Sequence, residues 1–435
     1  MKLKRLSNLS ATLVLLGVVC VLPSTSPARA ATSDSNAVRD WNATAVQAIG
    51  AAKLGPVPAL RGMAMMHVAI YDAIQAISTA SSRGFTTPYT VAGAKFYGGY
   101  PDASQEAATA AAGRTVLLSL LPAQRSAIDA AYSASLASLP DTAAREEGVF
   151  IGNWAASQIL RWRAGDGSNR VVSYNQAANP GTFEPTGGAT PVFTHLPDVT
   201  PFMGQGNTQF RPVAPPTLDS AQYAADYNEV KSLGAIDSTT RTADQTQAAL
   251  FWFDDDYYNW NTVARIIAGQ EQTTLSQDAR LFAELNVAMY DGLIAIFDAK
   301  YTYNFWRPEA AIHAGNSDGN PATVGDPTWT PLKPTPAHPD YPSAHTSSGS
   351  AASTVLASFF GNDAISFSFA TRTSPGSVTR SYTSLSQAAQ EEGSSRIWVG
   401  YHFRTAVNVA LVMGKEAGTW TVDHFGTVIP AATGS

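Results

Sequence analysis

Leu285, Met289, Leu293 and Ile296 recur at i, i+4, i+8 and i+11, the spacing of one face of an α-helix, and the next residue on that face is Lys300. A helix whose apolar stripe ends on an ammonium group carries a charge into the interior, where it needs a partner anion. The chain then supplies more polar groups in close order. Arg307-Pro308 follows seven residues after Lys300, then Pro342-Ser343-Ala344-His345, then Ser395-Arg396 with His402 six residues past the arginine. Three cations, two histidines and a serine are what a protein needs to surround one tetrahedral or bipyramidal oxyanion.

Taken singly, each of these residues has an ordinary explanation. Arg307 lies between Trp306 and Pro308 and could be a surface arginine stacked on the indole, but the fixed φ of proline also holds its planar fork of donors where the Lys300 helix ends. Ser343 precedes Thr346 to Phe360, which reads as a helix, so it falls near an N-terminus where free amides favour an anion. A capping serine is unremarkable; His345 in the first turn, able to donate or take a proton, is the departure. Arg396 ends an amphipathic segment, and His402 begins another whose Ala406, Val409, Met413, Ala417 and Trp420 share its face. A lone histidine there would be structural. The grouping changes that reading.

The rest of the 435 residues frames this segment. Residues 1–30 read as a signal peptide, with Lys2, Lys4 and Arg5, an apolar stretch from Ala11 to Leu22, and Ala28-Arg29-Ala30 before cleavage. The only cysteine, Cys20, lies in that leader, so the exported chain is expected to hold no disulfide. It would carry 24 basic against 34 acidic residues, a balance that argues against nucleic acid or anionic membranes as partners. No later apolar run suits a membrane span, so a soluble protein in the periplasm or outside the cell is expected.

Residues 31–57 read as a polar lead-in, 58–275 as an N-terminal helical part and 276–428 as the oxyanion-binding helical part. Pro58 to Ile77 has helical periodicity, and His67 within it reads as a hydrogen-bonded core histidine. Val68-Ala69-Ile70-Tyr71-Asp72 faintly echoes Val287-Ala288-Met289-Tyr290-Asp291. Residues 102–121 and 124–138 suit an antiparallel helix pair, and Asp141 is a candidate cap for the next helix. The stretch 168–217 is too long and irregular to be a simple connection and reads as a wall or lid, or as a surface excursion. Further helices are expected at 220–233 and 242–269, and Ser276 as the cap of the helix ending at Lys300. Asp254-Asp255-Asp256 lacks the pattern of a calcium loop and reads as a solvated or capping cluster. The fold class expected is all-α, a large helical bundle with long irregular loops.

The order Lys-x6-Arg-Pro, Pro-Ser-Ala-His and Ser-Arg-x5-His resembles the three-part signature of the superfamily joining vanadium-dependent haloperoxidases, type 2 phosphatidic acid phosphatases and bacterial acid phosphatases. The resemblance covers residues 300–402, and the helix-rich frame resembles the bacterial, secreted haloperoxidase branch. It implies that Lys300, Arg307, Ser343, Arg396 and the Ala344 amide bind the oxyanion, vanadate in a haloperoxidase. It implies His402 as the axial metal ligand, or as the phosphorylated nucleophile of a phosphatase, and His345 as the acid–base residue. Substrates would be hydrogen peroxide and halide, or a phosphate ester; a homo-oligomer is compatible with the sequence. A third reading is a non-catalytic anion-binding helical protein.

Two departures stand out. Ala344 replaces the usual glycine, which would strain a positive φ. Ala406 stands where the family pattern has an aspartate, which favours the haloperoxidase, because a metal ligand needs only a second acceptor such as a backbone carbonyl. His338, seven residues before His345, is the candidate halide-site residue, where bromide- and iodide-oxidising relatives resemble this sequence in having histidine.

Overall fold

The computed structural model describes residues 36–81, 100, 102–177, 179–204 and 206–426. The expected leader at 1–30 lies outside them. The described chain is built on helices α1 (Ala37–Ala52), α2 (Pro56–Ser81), α3 (Gln105–Leu120), α4 (Arg125–Ala137), α5 (Ala143–Arg163), α6 (Ala221–Gly234), α7 (Ala243–Phe251), α8 (Asp256–Gln270), α9 (Leu275–Tyr303), α10 (Pro308–His313), α11 (Ala344–Phe360), α12 (Leu385–Trp398) and α13 (Arg404–His424). Two strands, β1 (Phe367–Ala370) and β2 (Thr379–Tyr382), pair antiparallel with Phe367 opposite Tyr382.

Helix α9 is the axis of the fold. Every residue from Leu281 to Lys300 is buried, so the stripe read from the sequence is only one side of a helix covered on all sides. It packs on α2, α11, α13, α8 and α1. Burial all round favours partners for the polar residues of α9, and most have one, the Tyr290 hydroxyl being an exception among the described residues. Asn286 and Asn261 exchange amide hydrogen bonds of 2.9 Å, and the carboxylates of Asp291 and Asp298 reach outward to the long loop. A Thr274–Gln277 capping box starts the helix, two residues before the expected Ser276.

The expected lead-in at 31–57 is corrected at 37–52, where α1 buries Val38, Trp41, Ala45, Val46 and Ile49. Arg39, Asp40, Asn42 and Thr44 alternate with these positions, so composition hides a helical face. The Asn36 side chain caps it by accepting from the amides of Val38 and Arg39. The segment 242–269 is two helices, α7 and α8, interrupted at 252–255. Thr142, not Asp141, is the N-cap of α5, and Asp141 pairs with Arg145 instead. His67 is a core histidine as read, with Asn42 Nδ2 2.8 Å from its Nε2 and Phe282 stacked on the ring at 5.2 Å.

Two helix pairs reach their packing distance through a Gly-x3-Gly pattern. A Cβ at Gly148 or Gly152 of α5 would come within 2.2 Å of the Ser104 or Ala108 carbonyl, the latter on α3. One at Gly414 or Gly418 of α13 would come within 2.2 Å or 2.8 Å of the Ser347 or Ala351 carbonyl on α11. Backbone approach that close leaves no room for a side chain.

The stretch 168–217 is fastened along α9. Asp291 accepts from the amides of Phe202 (2.7 Å) and Met203 (2.6 Å), and Asp298 holds Arg211 through two bonds of 2.7 Å. The Tyr301 and Tyr303 hydroxyls donate to the carbonyls of Val192 and Pro212. The Val192 amide donates to Ala337 at 2.9 Å, which ties the loop to the second motif's approach.

Candidate oxyanion site

The three motifs meet at a cavity of about 260 Å³. Arg307, His338, Ala344, His345, Arg396 and His402 line its polar end, and Pro56, Val192, Phe193, Phe253, Pro336 and Tyr401 form an apolar, aromatic wall. Val192 and Phe193 come from the long loop, which therefore acts as a wall. Phe193 sits at φ 61°, a left-handed conformation costly for a bulky residue, and its ring faces Phe297 and His338.

Lys300 and Ser343 stand behind the lining. The Lys300 Nζ donates to the carbonyls of Pro339 (2.6 Å) and Asp340 (2.8 Å), fixing the loop that carries His338. Burial, then the neighbouring Arg307, pushes its pKa well below the usual lysine range. Ser343 is the N-cap of α11, but its Oγ accepts from Thr346 Oγ1 at 2.8 Å and leaves the first amides of the helix uncapped by any side chain. Ala344 is the first helical residue and has no positive φ, so the missing glycine costs nothing here. The Ala406 carbonyl accepts from the Ser343 amide at 3.0 Å and joins the second motif to α13.

Arg307 is fully buried and donates through Nε to the His338 carbonyl (2.7 Å) and through Nη1 to the Tyr401 carbonyl (3.0 Å). Arg396 donates through Nη2 to the Trp252 carbonyl (2.8 Å) and through Nε to Ser395 Oγ (3.2 Å). Among the described residues, no carboxylate oxygen lies within ion-pair distance of Lys300, Arg307 or Arg396. Burial lowers the pKa of Arg307 to about 10 and lowers that of Arg396 as well. Three buried cations without a paired carboxylate, beside an open cavity, are a built site for a multiply charged anion.

The histidines take defined roles. Arg307 Nη1, a donor, lies 3.1 Å from His402 Nε2, so that nitrogen must present its lone pair and Nδ1 carries the proton. Burial, then Arg307 and Lys300, holds His402 neutral. Its Nδ1 lies 2.7 Å from Asp340 Oδ1, a contact at ion-pair distance rather than an aligned hydrogen bond. Burial raises the Asp340 carboxyl to about 7 against the pull of Arg307 and Lys300. His345 Nε2 lies 2.8 Å from the Asp254 carbonyl and 3.1 Å from Asp256 Oδ1, so Nε2 is the protonated nitrogen and Nδ1 the acceptor. Burial, then Arg396, lowers its pKa to about 3. His338 packs at 5.0 Å from Phe297 with Arg307 Nη2 3.0 Å from its Nδ1, and burial keeps it neutral.

Residues 280–430 match the family model of the VCPO second helical-bundle domain. That segment carries all three motifs. The match covers the C-terminal bundle alone. The chain aligns at 29% identity over 194 residues with the vanadium chloroperoxidase of Curvularia inaequalis, 35% of this chain and 31% of that protein. The chain thus spans about a third of the length of the curated relative it matches. In fold, it superposes on a bacterial vanadium-dependent iodoperoxidase with a TM-score of 0.75 at 24% identity, covering 89% of this chain and 94% of that one. A holo-type bacterial vanadium-dependent chloroperoxidase gives 0.66 at 18% identity over 85% and 92% of the two chains. The expected all-α haloperoxidase architecture is the observed one.

Two readings change. Asp254 and Asp256 are buried, not solvated: Asp254 binds Arg372, and Asp256 reaches the site histidine. Asp340, which sequence reasoning passed over, supplies His402 with a carboxylate, so Ala406 no longer argues against a phosphatase. The signal available was position: Asp340 lies between His338 and Ser343, inside the motif segment.

Proposed function

We propose that this protein is an exported vanadate-dependent haloperoxidase that oxidises halide with hydrogen peroxide to hypohalous acid. The observation that carries the proposal is the set of buried cations without a paired carboxylate, converging with the neutral Nε2 of His402 in a VCPO-type bundle. Vanadate fits this donor set: Arg307, Arg396 and the first amides of α11 would hold its oxygens, with Lys300 bracing the His338–Asp340 loop and adding charge from behind. His402 Nε2 would be the metal ligand. Bound vanadate supplies a Lewis-acidic centre at which peroxide is activated.

The chain's own groups do the rest. Arg307 Nη1, facing Nε2, selects the tautomer that bares its lone pair, and Asp340 sets a carboxyl beside the Nδ1–H. His345 Nδ1 takes a proton from incoming peroxide, while its Nε2–H stays on the Asp254 carbonyl. Burial depresses His345 most; an oxyanion would offset the smaller contribution of Arg396 and so raise its basicity. The apolar wall excludes water from the reacting oxygen.

Orthovanadate added to the purified protein should confer halide-dependent peroxide consumption. His402→Ala should lose vanadate binding, whereas His345→Ala should keep binding and lose turnover; equal loss of affinity in both would refute the assignment. Bromide and iodide should be accepted more readily than chloride. His338→Phe, by removing a titratable ring beside the site, should move the pH profile of kcat/KM and shift preference toward chloride. An unchanged profile and halide range would place His338 outside the reaction.

The Asp340–His402 contact favours one second reading, a phosphomonoesterase with His402 as nucleophile. Phosphomonoester hydrolysis measured on the same sample decides between them: a trapped phosphohistidine at His402 with no halide oxidation would establish the phosphatase.

A further inference from the structure

Behind His345, away from the cavity, two carboxyl groups are buried against each other. Asp256 is the first residue of α8, and Glu392 lies on α12 one turn before Arg396. Glu392 is fully buried, and its carboxylate fills the space a side chain at residue 349 of α11 would take: a Cβ on Gly349 would lie 1.7 Å from Oε2. The glycine therefore admits the acid. Trp260 Nε1 donates to Oε2 at 2.9 Å, while Oε1 has no donor among the described residues. Asp256 Oδ1 is likewise without a hydrogen bond, since the N–H it faces at 3.1 Å points to the Asp254 carbonyl. One oxygen of each carboxyl and a His345 nitrogen all lie within 4.8 Å of one another.

The charged groups facing the pair are few. Arg396 of α12 acts on both acids without an ion-pair contact, Asp255 at the N-cap of α8 adds repulsion, and His345 of α11 is neutral. Asp254 is engaged by Arg372, and Glu391 turns away to Arg380, Trp252 and Tyr382. Two adjacent anions with one indole N–H and one distant guanidinium cannot both be ionised.

We propose that Asp256 and Glu392 hold one proton between them, and that Glu392 is thereby a positioning residue for His345, acting through Asp256. The shared proton supplies the missing donor to both orphaned oxygens. It leaves the pair with a single negative charge, so the imidazolium formed when His345 accepts a proton at Nδ1 faces one counter-charge across its Nε2–H. The raised carboxyls agree: burial, then Glu392, lifts Asp256 well above its usual range, and burial lifts Glu392 to about 7. When the shared proton leaves, a second negative charge faces His345 and makes it a weaker acid. Turnover should then acquire an alkaline limb that belongs to the pair.

The role of His345 rests on the haloperoxidase reading, but the proton itself does not. Difference infrared spectra of the metal-free protein below pH 7 should show a protonated-carboxyl C=O band, over and above the absorption of the raised Asp340, Glu284 and Asp291 carboxyls, that wild-type-minus-variant comparison shows to be lost in Asp256→Asn and in Glu392→Gln. Glutamine keeps the shape, accepts from Trp260 and donates to Asp256, so Glu392→Gln should fold, bind vanadate as the parent does, and lose the alkaline limb. A wild-type band that is absent, or that survives in both variants, overturns the proposal even if halide oxidation is intact. Stoichiometric uptake of Zn²⁺ or Mn²⁺ that is abolished by Glu392→Gln would also overturn it, by making the cluster a cation site. If the band behaves as expected but no halide is oxidised, the shared proton stands and only the function fails.

Discussion

Arg163 and Arg396 are both buried guanidinium groups, and they differ in what faces them. Arg163, at the end of α5, binds Asp166 at 2.8 Å and the carbonyls of Thr200 and Pro201, and lies over the Phe202 ring at 4.1 Å. Every donor has an acceptor and the charge has its opposite. Arg396 has carbonyl and hydroxyl partners but no carboxylate at ion-pair distance, and the same holds for Arg307. A buried cation that the fold completes is structural; one that the fold leaves short of an anion is a binding site.

That contrast predicts an inversion. Arg163→Ala leaves Asp166 with the largely buried Arg61 and the Ser168 amide but removes the guanidinium that holds the Thr200 and Pro201 carbonyls, and should cost about 3 kcal/mol of stability while leaving oxyanion affinity per folded molecule unchanged. Arg396→Ala should cost about 1.5–3 kcal/mol of vanadate affinity and little or no stability in the absence of the anion. Denaturant unfolding and vanadate titration on both variants check the pair; similar losses in both measurements would erase the distinction.

The two Gly-x3-Gly contacts sharpen it at the level of helices. Gly152→Val and Gly414→Val should each destabilise by about 1–3 kcal/mol, because backbone must move to admit the side chain. Only Gly414→Val displaces α11, whose first turn holds Ala344 and His345, against α13, which follows His402. It should therefore weaken vanadate binding as well, and Gly152→Val should not.

The smallest expected effect concerns Glu284, a buried carboxylate on α9 away from the cavity, paired with the half-exposed Arg280. Burial raises its pKa from 4.5 to about 7 in the folded chain, so folding takes up a proton between those values and Glu284's contribution to stability falls as pH rises through that window. Thermal melts of Glu284→Gln should show a modest gain over wild type above pH 7 that fades below 4.5, with no change in vanadate affinity at either end.

What was legible in the sequence followed from periodicity and from order along the chain. Helix α9, the pair α3 and α4, and the motif residues Arg307, Ala344, His345, Arg396 and His402 are all signalled by local spacing, and all but α3 and α4 bear on the site. What was not legible depends on contacts between distant residues. Asp340 meets His402 from 62 positions away. Asp256 reaches His345 only because α8 begins against α11, and Glu392 has a place only because Gly349 vacates one. Periodicity does place Lys300 inside, but it could not tell that two of the three Nζ donors would hold the carbonyls of Pro339 and Asp340. Helix α1 was missed because polar residues between its buried positions dilute the composition, and the hairpin of β1 and β2 because four-residue strands carry almost no periodicity.

The fastening of the long loop bears on how fast a ligand arrives. Asp291, Asp298, Tyr301 and Tyr303 hold the cavity wall to a single buried helix, so the wall stands before anything binds. Closure over the ligand is not a step that has to precede capture, and no folding of the wall is charged against affinity. Association should then be limited by diffusion and by the electrostatic pull of the buried cations, with an observed rate that rises in proportion to oxyanion concentration and responds to ionic strength rather than to the dynamics of a lid.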